Sequence, residues 1–458
     1  MGTQVVTTSD RVAKAQNLVG RLERMPFSGW HVNLRLVVGM ATLFNALDAT
    51  AIAYVIPVLV PKWHTPPQMI GFLLATGFIG QIIGTVVFGS LADRVGRRVS
   101  LIASIGLFSV MSFACAGAWS YVSLFTFRFI QGIGLGGEMP IAASYITEFG
   151  RAKGRGRFVL LYATLYSVGL LVTSILGYFI VPRWGWQWMF IIGGLPIILA
   201  IAFPWLMPES PRFLIAKGEL DEAEKVVSMI EDRCKEEGKE LPPIIEKLYV
   251  AEKKASWGEL FQGIYAKRTL TLWPIFFICY FAVQSITTWV PSIFARVFHL
   301  PLELALRYSL IMSALQIASN ICCALLIDKV GRRNWLILAF TGGGIAWIIL
   351  FLTGVKTAET LLIIGTIGMM FISTLTTTVY LYAPELYPTR MRGVGVSLAG
   401  AWTRIGSALG PIVLGFMVGS VNMKWVAFLI GAILLVGAVI ALVLAQETKD
   451  KALEVLSP

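Results

Sequence analysis

The sequence predicts an all-α membrane protein with twelve transmembrane helices in two six-helix halves. Three observations predict this class: the composition, the spacing of long apolar runs, and an internal repeat. Of the 458 residues, 56% are hydrophobic and only 14% are charged. A soluble domain carries roughly 25% charged residues, so this composition excludes an ordinary soluble enzyme.

Twelve apolar runs are long enough to cross a bilayer, which takes about 20 residues. We predict spans one to six over residues 34–61, 68–92, 98–118, 121–149, 157–181 and 187–206. Spans seven to twelve are predicted over residues 269–294, 303–328, 334–354, 358–386, 391–418 and 423–446. Because backbone polar groups in lipid must be satisfied within the segment, each span is predicted to be a helix.

Three polar segments flank the two halves, which we place at 34–206 and 269–446. Residues 1–33 are predicted to be an N-terminal segment, 207–268 a linker with helices, and 447–458 a tail. Most Lys and Arg residues fall in these segments and in the short loops on the same side, so both termini are expected in the cytoplasm. The net charge of +12 is therefore a topology signal and not a nucleic-acid-binding face. The linker is either a solvated connection or a regulatory or partner-binding site.

An internal repeat relates the two halves. Residues 91–98 (Leu-Ala-Asp-Arg-Val-Gly-Arg-Arg) return as 326–333 (Leu-Ile-Asp-Lys-Val-Gly-Arg-Arg). Glu148 after span four corresponds to Glu385, and Glu209 after span six corresponds to Glu447. Such parallel repeats are related by an axis along the membrane normal, and the substrate site lies between them.

Several of these motifs together resemble the major facilitator superfamily over essentially the whole chain, and within it the sugar-porter and organic-ion-transporter branch. The resemblance rests on residues 93–98, 128–137, 208–214, 328–333, 384–393 and 447–449. Residues 24–27 and 44–48 are most similar to bacterial relatives of the synaptic-vesicle-glycoprotein-like group, which includes niacin and aromatic-acid transporters. The short loop at 61–67 and the lack of glycosylation acceptors imply a bacterial inner membrane.

Four ionisable residues stand out inside the spans: Asp48, Arg128, Glu138 and Arg404. Burying such a group in a membrane is costly, so each is a candidate functional residue. The resemblance to proton-coupled porters implies that Asp48 and Arg128 form a coupling pair, which proton uptake by Asp48 would release. The alternative is a static ion pair between spans one and four. Glu138 is either a second proton site or a polar contact with span two.

Arg404 in span eleven is the candidate for binding an anionic substrate. A guanidinium stays charged and suits bidentate carboxylate binding. Related organic-anion transporters carry a basic residue in this stretch, and Arg404 matches that pattern. Its alternative partners are a backbone carbonyl or a structural carboxylate. Polar and aromatic residues at helical spacing would complete the pocket, although each could also serve only in packing: Tyr166, Tyr380, Gln284, Asn45, Tyr162, Thr376 and Gln316.

The loops after spans two and eight are expected to gate the transporter, as the resemblance implies. The residues concerned are Asp93, Arg97, Glu148, Asp328, Arg332 and Glu385. We expect Glu148 to pair with Arg97 and Glu385 to pair with Arg332.

The sequence therefore predicts a secondary transporter that works by alternating access, with proton-coupled uptake of a small organic anion such as nicotinate or another aromatic monocarboxylate. No phosphate-binding loop, metal site or cofactor site is evident, and we expect no enzyme activity. The expected partners are the anion, protons and membrane lipid, without nucleic acid, and the expected state is a monomer. Two alternatives stay open: a sugar or organic-cation transporter in which Asp48 binds substrate directly, and a non-transporting membrane receptor.

Overall fold

The computed structural model describes residues 8–150, 155–244, 257–420 and 422–449, and within these ranges the regular structure is helical. The first part of the chain forms α1 (Thr8–Arg24), α2 (Gly29–Trp63), α3 (Pro67–Val95), α4 (Arg97–Ala116), α5 (Tyr121–Phe149), α6 (Arg155–Trp184), α7 (Gln187–Gly193) and α8 (Ile197–Leu206). The linker contributes α9 (Pro211–Lys217), α10 (Leu220–Glu236) and a 3₁₀ turn (Trp257–Phe261).

The second part forms α11 (Gly263–Ser292), α12 (Leu302–Val330), α13 (Arg332–Thr353), α14 (Ala358–Thr360), α15 (Thr366–Glu385), α16 (Thr389–Ser420) and α17 (Met423–Leu444). One-turn π segments follow α11 and join α14 to α15. Among the residues that the structure describes, eleven helical segments are long and apolar enough to cross a membrane. The twelfth is α5, which is less apolar because Arg128, Glu138 and four glycines lie along it. The fold is thus the predicted all-α arrangement of twelve transmembrane helices.

The polar segments contain two helices that pack together. The predicted N-terminal segment includes α1, whose buried Leu18 and Leu22 belong to one apolar cluster with Val227 and Ile230 of α10. The predicted span one begins five residues earlier than expected, at Gly29. Span six is broken into α7 and α8 by a turn that ends at Pro196. The tail beyond residue 449 lies outside the described residues.

Glycines let α3 and α5 approach each other at van der Waals distance. A methyl group added at Gly84 would lie 1.9 Å from the carbonyl oxygen of Ile133, and one at Gly136 would lie 2.3 Å from the carbonyl oxygen of Gln81. Small residues at such crossings are what allows transmembrane helices to pack closely. The close approach places Gln81 and Glu138 on neighbouring helices in the membrane interior.

The two halves meet along α3 and α16, which run antiparallel. We call this contact the seam. Its members from the outer end inward are Gln68 with Gly419, Gly71 with Pro411 and Gly415, Phe78 with Ala408, and Gln81 with Arg404. We call the membrane face that carries α1, α9 and α10 the linker side. The outer end of the seam lies at the other face, which we call the opposite side.

A second contact between the halves joins α2 to α12. The hydroxyl of Tyr54 lies 3.5 Å from that of Ser313 and 2.6 Å from that of Ser174 on α6. Tyr54 is buried, with 4% of its surface exposed. On the linker side, the Arg97–Glu148 and Arg332–Glu385 ion pairs each lie within one half. The halves are therefore packed together toward the opposite side.

Candidate functional site

Asp48 and Arg128 are both buried in the first half, and the structure places them next to each other. Asp48 on α2 accepts a hydrogen bond of 2.7 Å from the Ser112 hydroxyl of α4 through its Oδ1 atom. Arg128 on α5 donates to the main-chain oxygen of Asp48 at 2.8 Å and to Oε1 of Gln131 at 2.7 Å. The guanidinium thus binds the backbone of Asp48, while the carboxylate binds Ser112. In this conformation, the Arg128 and Asp48 side chains are not joined by the expected direct ion pair.

Glu138 lies at the centre of a polar cluster between α2, α5 and α6. Its Oε1 accepts from the Thr42 hydroxyl at 2.6 Å, and its Oε2 accepts from the Asn45 amide at 2.9 Å. The Tyr162 hydroxyl is 2.6 Å from that of Thr42. Asn45 lies three residues before Asp48 on the same helix, but its side chain binds Glu138. The cluster satisfies the hydrogen bonds of a fully buried carboxyl group, as such groups require.

Arg404 lies at the inner end of the seam, between the two halves. Its Nη1 atom donates to the side-chain oxygen of Gln81 on α3. Gln81 is buried, with 2% of its surface exposed, and is a functional candidate that sequence reasoning missed. The signal available was an amide in the middle of the mostly apolar span two. Within the described ranges, no carboxylate lies within ion-pair distance of Arg404, so neither a structural carboxylate nor a backbone carbonyl is its contact here.

The predicted pocket residues do not all face one space. Arg404 lies close enough to Tyr166, Tyr280 and Glu138 to act on them electrostatically. Tyr380 on α15 is 43% exposed and meets the Tyr280 ring edge-on, with ring centroids 6.3 Å apart. These residues, with the Glu138 cluster, surround the inner end of the seam.

For three further predicted pocket residues, the structure shows burial or contacts within their own helices. Gln284 on α11 is 8% exposed. The Thr376 hydroxyl donates to the Ser373 carbonyl of its own helix at 2.7 Å. The main-chain oxygen of Gln316 on α12 accepts from the Ser319 hydroxyl at 2.7 Å. Among the described residues, no hydrogen bond joins any of these three side chains to Arg404.

An apolar cleft of about 230 Å³ lies between α11 and α16. One of its lining residues, Trp402, precedes Arg404 by two positions in the chain. Its lining consists of Leu270, Trp273, Pro274, Phe277 and Trp402. The Trp273 and Trp402 rings are tilted toward each other, with centroids 5.3 Å apart. Sequence reasoning missed these rings because aromatic residues in apolar spans serve mostly in packing.

The six predicted gating residues form two equivalent clusters on the linker side. Arg97 Nε binds Glu148 Oε1 at 2.9 Å, and Arg97 Nη2 lies 3.2 Å from Asp93. In the second half, Arg332 binds Glu385 at 3.3 Å and Asp328 at 2.7 Å. We call these the first and second gating clusters, after the role that the sequence predicts for them. Both exposed aspartates contribute little energy by themselves, because a solvated ion pair is worth about 0–1 kcal/mol.

A third acid reinforces each gating cluster from a distant part of the chain. Glu209 accepts from the main-chain amides of Arg97 at 3.0 Å and Arg98 at 3.1 Å, at the start of α4. Glu447 accepts in the same way from the Arg332 amide at 2.9 Å, at the start of α13. A carboxylate at a helix N-terminus binds unpaired amides and the positive end of the helix dipole. In the internal repeat these two acids were recognised only as equivalent positions, without a structural role.

Comparison with known proteins agrees with this architecture. The profile of the family described as "Sugar (and other) transporter" matches residues 42–458. The niacin transporter NiaP of Acinetobacter baylyi is 34% identical over 443 residues, which cover 96% of this chain and 99% of that protein. The 4-hydroxybenzoate transporter PcaK of the same organism is 30% identical over 295 residues, 64% of each chain.

Solved structures show the same fold at low identity. The partially occluded inward-open structure of the xylose transporter XylE from E. coli superposes with a TM-score of 0.74. It is 18% identical and covers 93% of this chain and 100% of that one. The profile match, the niacin-transporter relative and the twelve-helix fold agree, and the chain therefore belongs to the sugar (and other) transporter family of the major facilitator superfamily, whose members are multi-pass membrane transporters.

Proposed function

We propose that this protein takes up a small organic anion together with protons by alternating access, and that the anion is nicotinate or another aromatic monocarboxylate. The observation that carries the proposal is Arg404, a permanent cation between the halves whose contact is the neutral amide of Gln81. Such a guanidinium is available to a carboxylate, its strongest class of partner. The niacin and 4-hydroxybenzoate transporters among the relatives support an aromatic acid as the substrate.

The rest of the pocket suits the ring of such a substrate. Tyr166 and Tyr280 lie near Arg404, and Tyr380 contacts the Tyr280 ring. Aromatic side chains bind rings by offset or edge-on contacts. A monocarboxylate would thus place its charge at Arg404 and its ring among the tyrosines. This arrangement also explains why a sugar is a poorer candidate, since it has no charge for Arg404.

Proton coupling is assigned to the two buried acids, Asp48 and Glu138. Both are fully buried on helices that also contact the other half or the pocket. A carboxyl group that takes up a proton can cross between conformations without an uncompensated charge. An anion and one proton moving together carry no net charge across the membrane. The alternative role of Asp48 as a direct ligand is disfavoured because its Oδ1 atom is bound to Ser112 and its surface is fully buried.

The orientation follows from the basic residues on the linker side, which we assign to the cytoplasm of a bacterial inner membrane, with both termini there. Under this assignment the seam closes the contact between the halves toward the outside, and the conformation would be inward-facing. The segments 34–206 and 269–446 would rock against each other as two bodies, and the gating clusters would hold the inner loops in each state. A monomer that needs neither cofactor nor nucleic acid suffices for this mechanism.

The test is uptake of nicotinate and benzoate by the purified protein in proteoliposomes, with and without an inward proton gradient. We expect the gradient to drive accumulation. Arg404→Gln should lower carboxylate uptake at least tenfold, since a hydrogen bond to a charged group is worth about 1.5–3 kcal/mol. The matched control is Arg183→Gln, because Arg183 is exposed at the end of α6 and contacts only the Phe179 carbonyl and ring within the described residues.

Normal carboxylate uptake by Arg404→Gln would overturn the substrate assignment. Uptake of xylose or an amine in place of both acids would point to the sugar or cation alternative. Binding of an acid without any uptake would support the receptor alternative. If accumulation of the acids does not depend on the proton gradient, Asp48 and Glu138 do not couple proton movement to uptake.

A further inference from the structure

Gln81 and Arg404 form the innermost contact of the seam. The contacts farther out are made by small or apolar residues, as where Gly71 meets Pro411 and Phe78 meets Ala408. Arg404 is also the seam residue that acts electrostatically on Tyr166 and Tyr280. The contact between the amide and the guanidinium therefore lies where the seam meets the polar and aromatic residues near Arg404.

The amide oxygen is a replaceable partner for this guanidinium. Arg404 keeps its charge at any physiological pH and needs a polar partner when half-buried. The neutral oxygen of Gln81 meets this need with one hydrogen bond. A carboxylate offers two charge-assisted bonds in parallel and is the stronger partner. A bound carboxylate at Arg404 and the Gln81 contact compete for the same group.

We propose that Gln81 is a specificity and positioning residue. Its amide oxygen occupies the position on Arg404 at which the substrate carboxylate binds. The inference rests on the proposed function, in which Arg404 binds the carboxylate. When the seam is closed, the amide competes with the substrate and lowers its affinity on the side where uptake must release it. When the halves separate along the seam, Gln81 moves away with α3 and leaves Arg404 to the substrate alone.

This competition links substrate binding to the conformational change. A ligand shifts an equilibrium only by the difference in its affinity for the two states. Here the difference is the Gln81–Arg404 bond, which the substrate must break in the closed-seam state and not in the other. Formation of the Gln81–Arg404 bond favours release of the substrate. Loss of this bond favours opening of the opposite side.

The experiment compares three variants of the full-length protein in lipid nanodiscs: Gln81→Leu, Gln81→Glu and the control Gln68→Leu. Gln68 is an amide on the same helix that meets Gly419 at the outer end of the seam. Dissociation constants for nicotinate and benzoate are measured by titration calorimetry. Gln81→Leu should bind the acids about tenfold more tightly, because the competing bond is removed. Gln81→Glu should lose binding, because its carboxylate occupies Arg404 permanently.

Transport kinetics provide a second test of the role of Gln81. In proteoliposomes, Gln81→Leu should lower both KM and kcat, since tighter binding in the closed-seam state slows release. The control Gln68→Leu should keep the wild-type affinity for both acids. A Gln81→Leu variant with wild-type affinity, or a Gln81→Glu variant that still binds, would overturn the inference.

The two proposals fail in different ways. If Arg404→Gln binds both acids as the wild type does, the proposed function fails, and with it the premise of the competition. If Arg404→Gln loses binding while Gln81→Leu leaves affinity unchanged, the carboxylate assignment stands and the role of Gln81 is wrong. A wild-type protein that binds neither acid contradicts both.

Discussion

Glu231 on α10 is the residue that fastens the N-terminal helix to the linker. Its side chain is 6% exposed and binds Arg21 at 2.5 Å and Arg24 at 2.7 Å, both on α1. Burial alone would raise the pKa of Glu231, but the hydrogen bonds from Arg21 and Arg24 outweigh it and lower the pKa below the usual 4.5. The ionised carboxylate therefore contributes to the docking of α1.

The pH dependence of this docking follows from the direction of the shift. A carboxyl whose pKa is depressed in the folded state stabilises it fully above the unfolded pKa, and this stability is lost as pH falls through the folded value. We expect α1 to stay docked at neutral pH and at pH 5, and to detach only below about pH 4.5. Hydrogen–deuterium exchange of residues 8–24 across this range measures the detachment.

Replacing Glu231 by Gln should release α1 at neutral pH, because one carboxylate that served two arginines is lost. The expected local cost is about 1–3 kcal/mol, seen as faster exchange in residues 8–24. The control is Asp232→Asn, since the Asp232 side chain is 65% exposed and pairs only with Lys235 on its own helix among the described residues. Equal exchange in the two variants would contradict the role given to Glu231.

At the residue scale, the important charged residues could be predicted from the sequence more reliably than their contacts. Asp48, Arg128, Glu138 and Arg404 stood out because ionisable residues are rare in apolar spans. Their partners depend on helix rotation and side-chain rotamers, which a single sequence does not encode in its spacing. Helical spacing placed Asn45 beside Asp48, yet the Asn45 amide points across to Glu138.

At the scale of elements, the contact between α3 and α5 depends on glycine. Gly84 of α3 lies against the backbone of α5 at Ile133, and a backbone cannot move aside as a flexible side chain does. Overpacking of this kind typically costs about 1–3 kcal/mol. The α3–α5 contact also supports the position of Gln81, whose main chain lies against Gly136.

Gly84→Ala should therefore destabilise the protein by about 1–3 kcal/mol and lower its thermal unfolding temperature in detergent. The matched control is Gly106→Ala on α4, where an added methyl group meets nothing within 4 Å. That variant should unfold at or slightly above the wild-type temperature, because alanine favours a helix more than glycine does. An equal effect of both changes would show that helix propensity, and not the close approach, dominates.

Most elements could be predicted from the sequence because lipid demands long apolar helices. Residues 121–149 were predicted as span four, and α5 covers those same residues. The helix α1 was missed because its stability comes from apolar and charged contacts with α10, roughly two hundred residues away in the chain. The break between α7 and α8 was missed because the apolar run continues through it.

At the scale of the whole molecule, the repeat anticipated the equivalence that the structure shows in the gating clusters. Arg97 with Glu148 and Arg332 with Glu385 make the same contact in each half. The conformational state could not be predicted, because the proposed alternating access requires one sequence to adopt at least two arrangements of the same helices. What distinguishes this arrangement is the closed seam between α3 and α16.

The seam gives a prediction about the balance between these arrangements. A Cβ atom at Gly71 would lie 2.6 Å from the Pro411 carbonyl oxygen, so Gly71→Trp cannot form the closed seam. The penalty falls only on the conformation in which α3 and α16 touch, and so the protein should stay folded but open toward the opposite side. Uptake should fall at least tenfold, while binding of nicotinate or benzoate persists.

Spin labels at Lys62 and Lys424, on opposite halves near the outer end of the seam, report this change as a longer label-to-label distance. The labels require replacement of the five native cysteines. Gly89→Trp is the control, because Gly89 lies on the same helix with open space around it. An unchanged distance in Gly71→Trp, or equal loss of uptake in Gly89→Trp, would show that closure of the seam does not set the conformational balance.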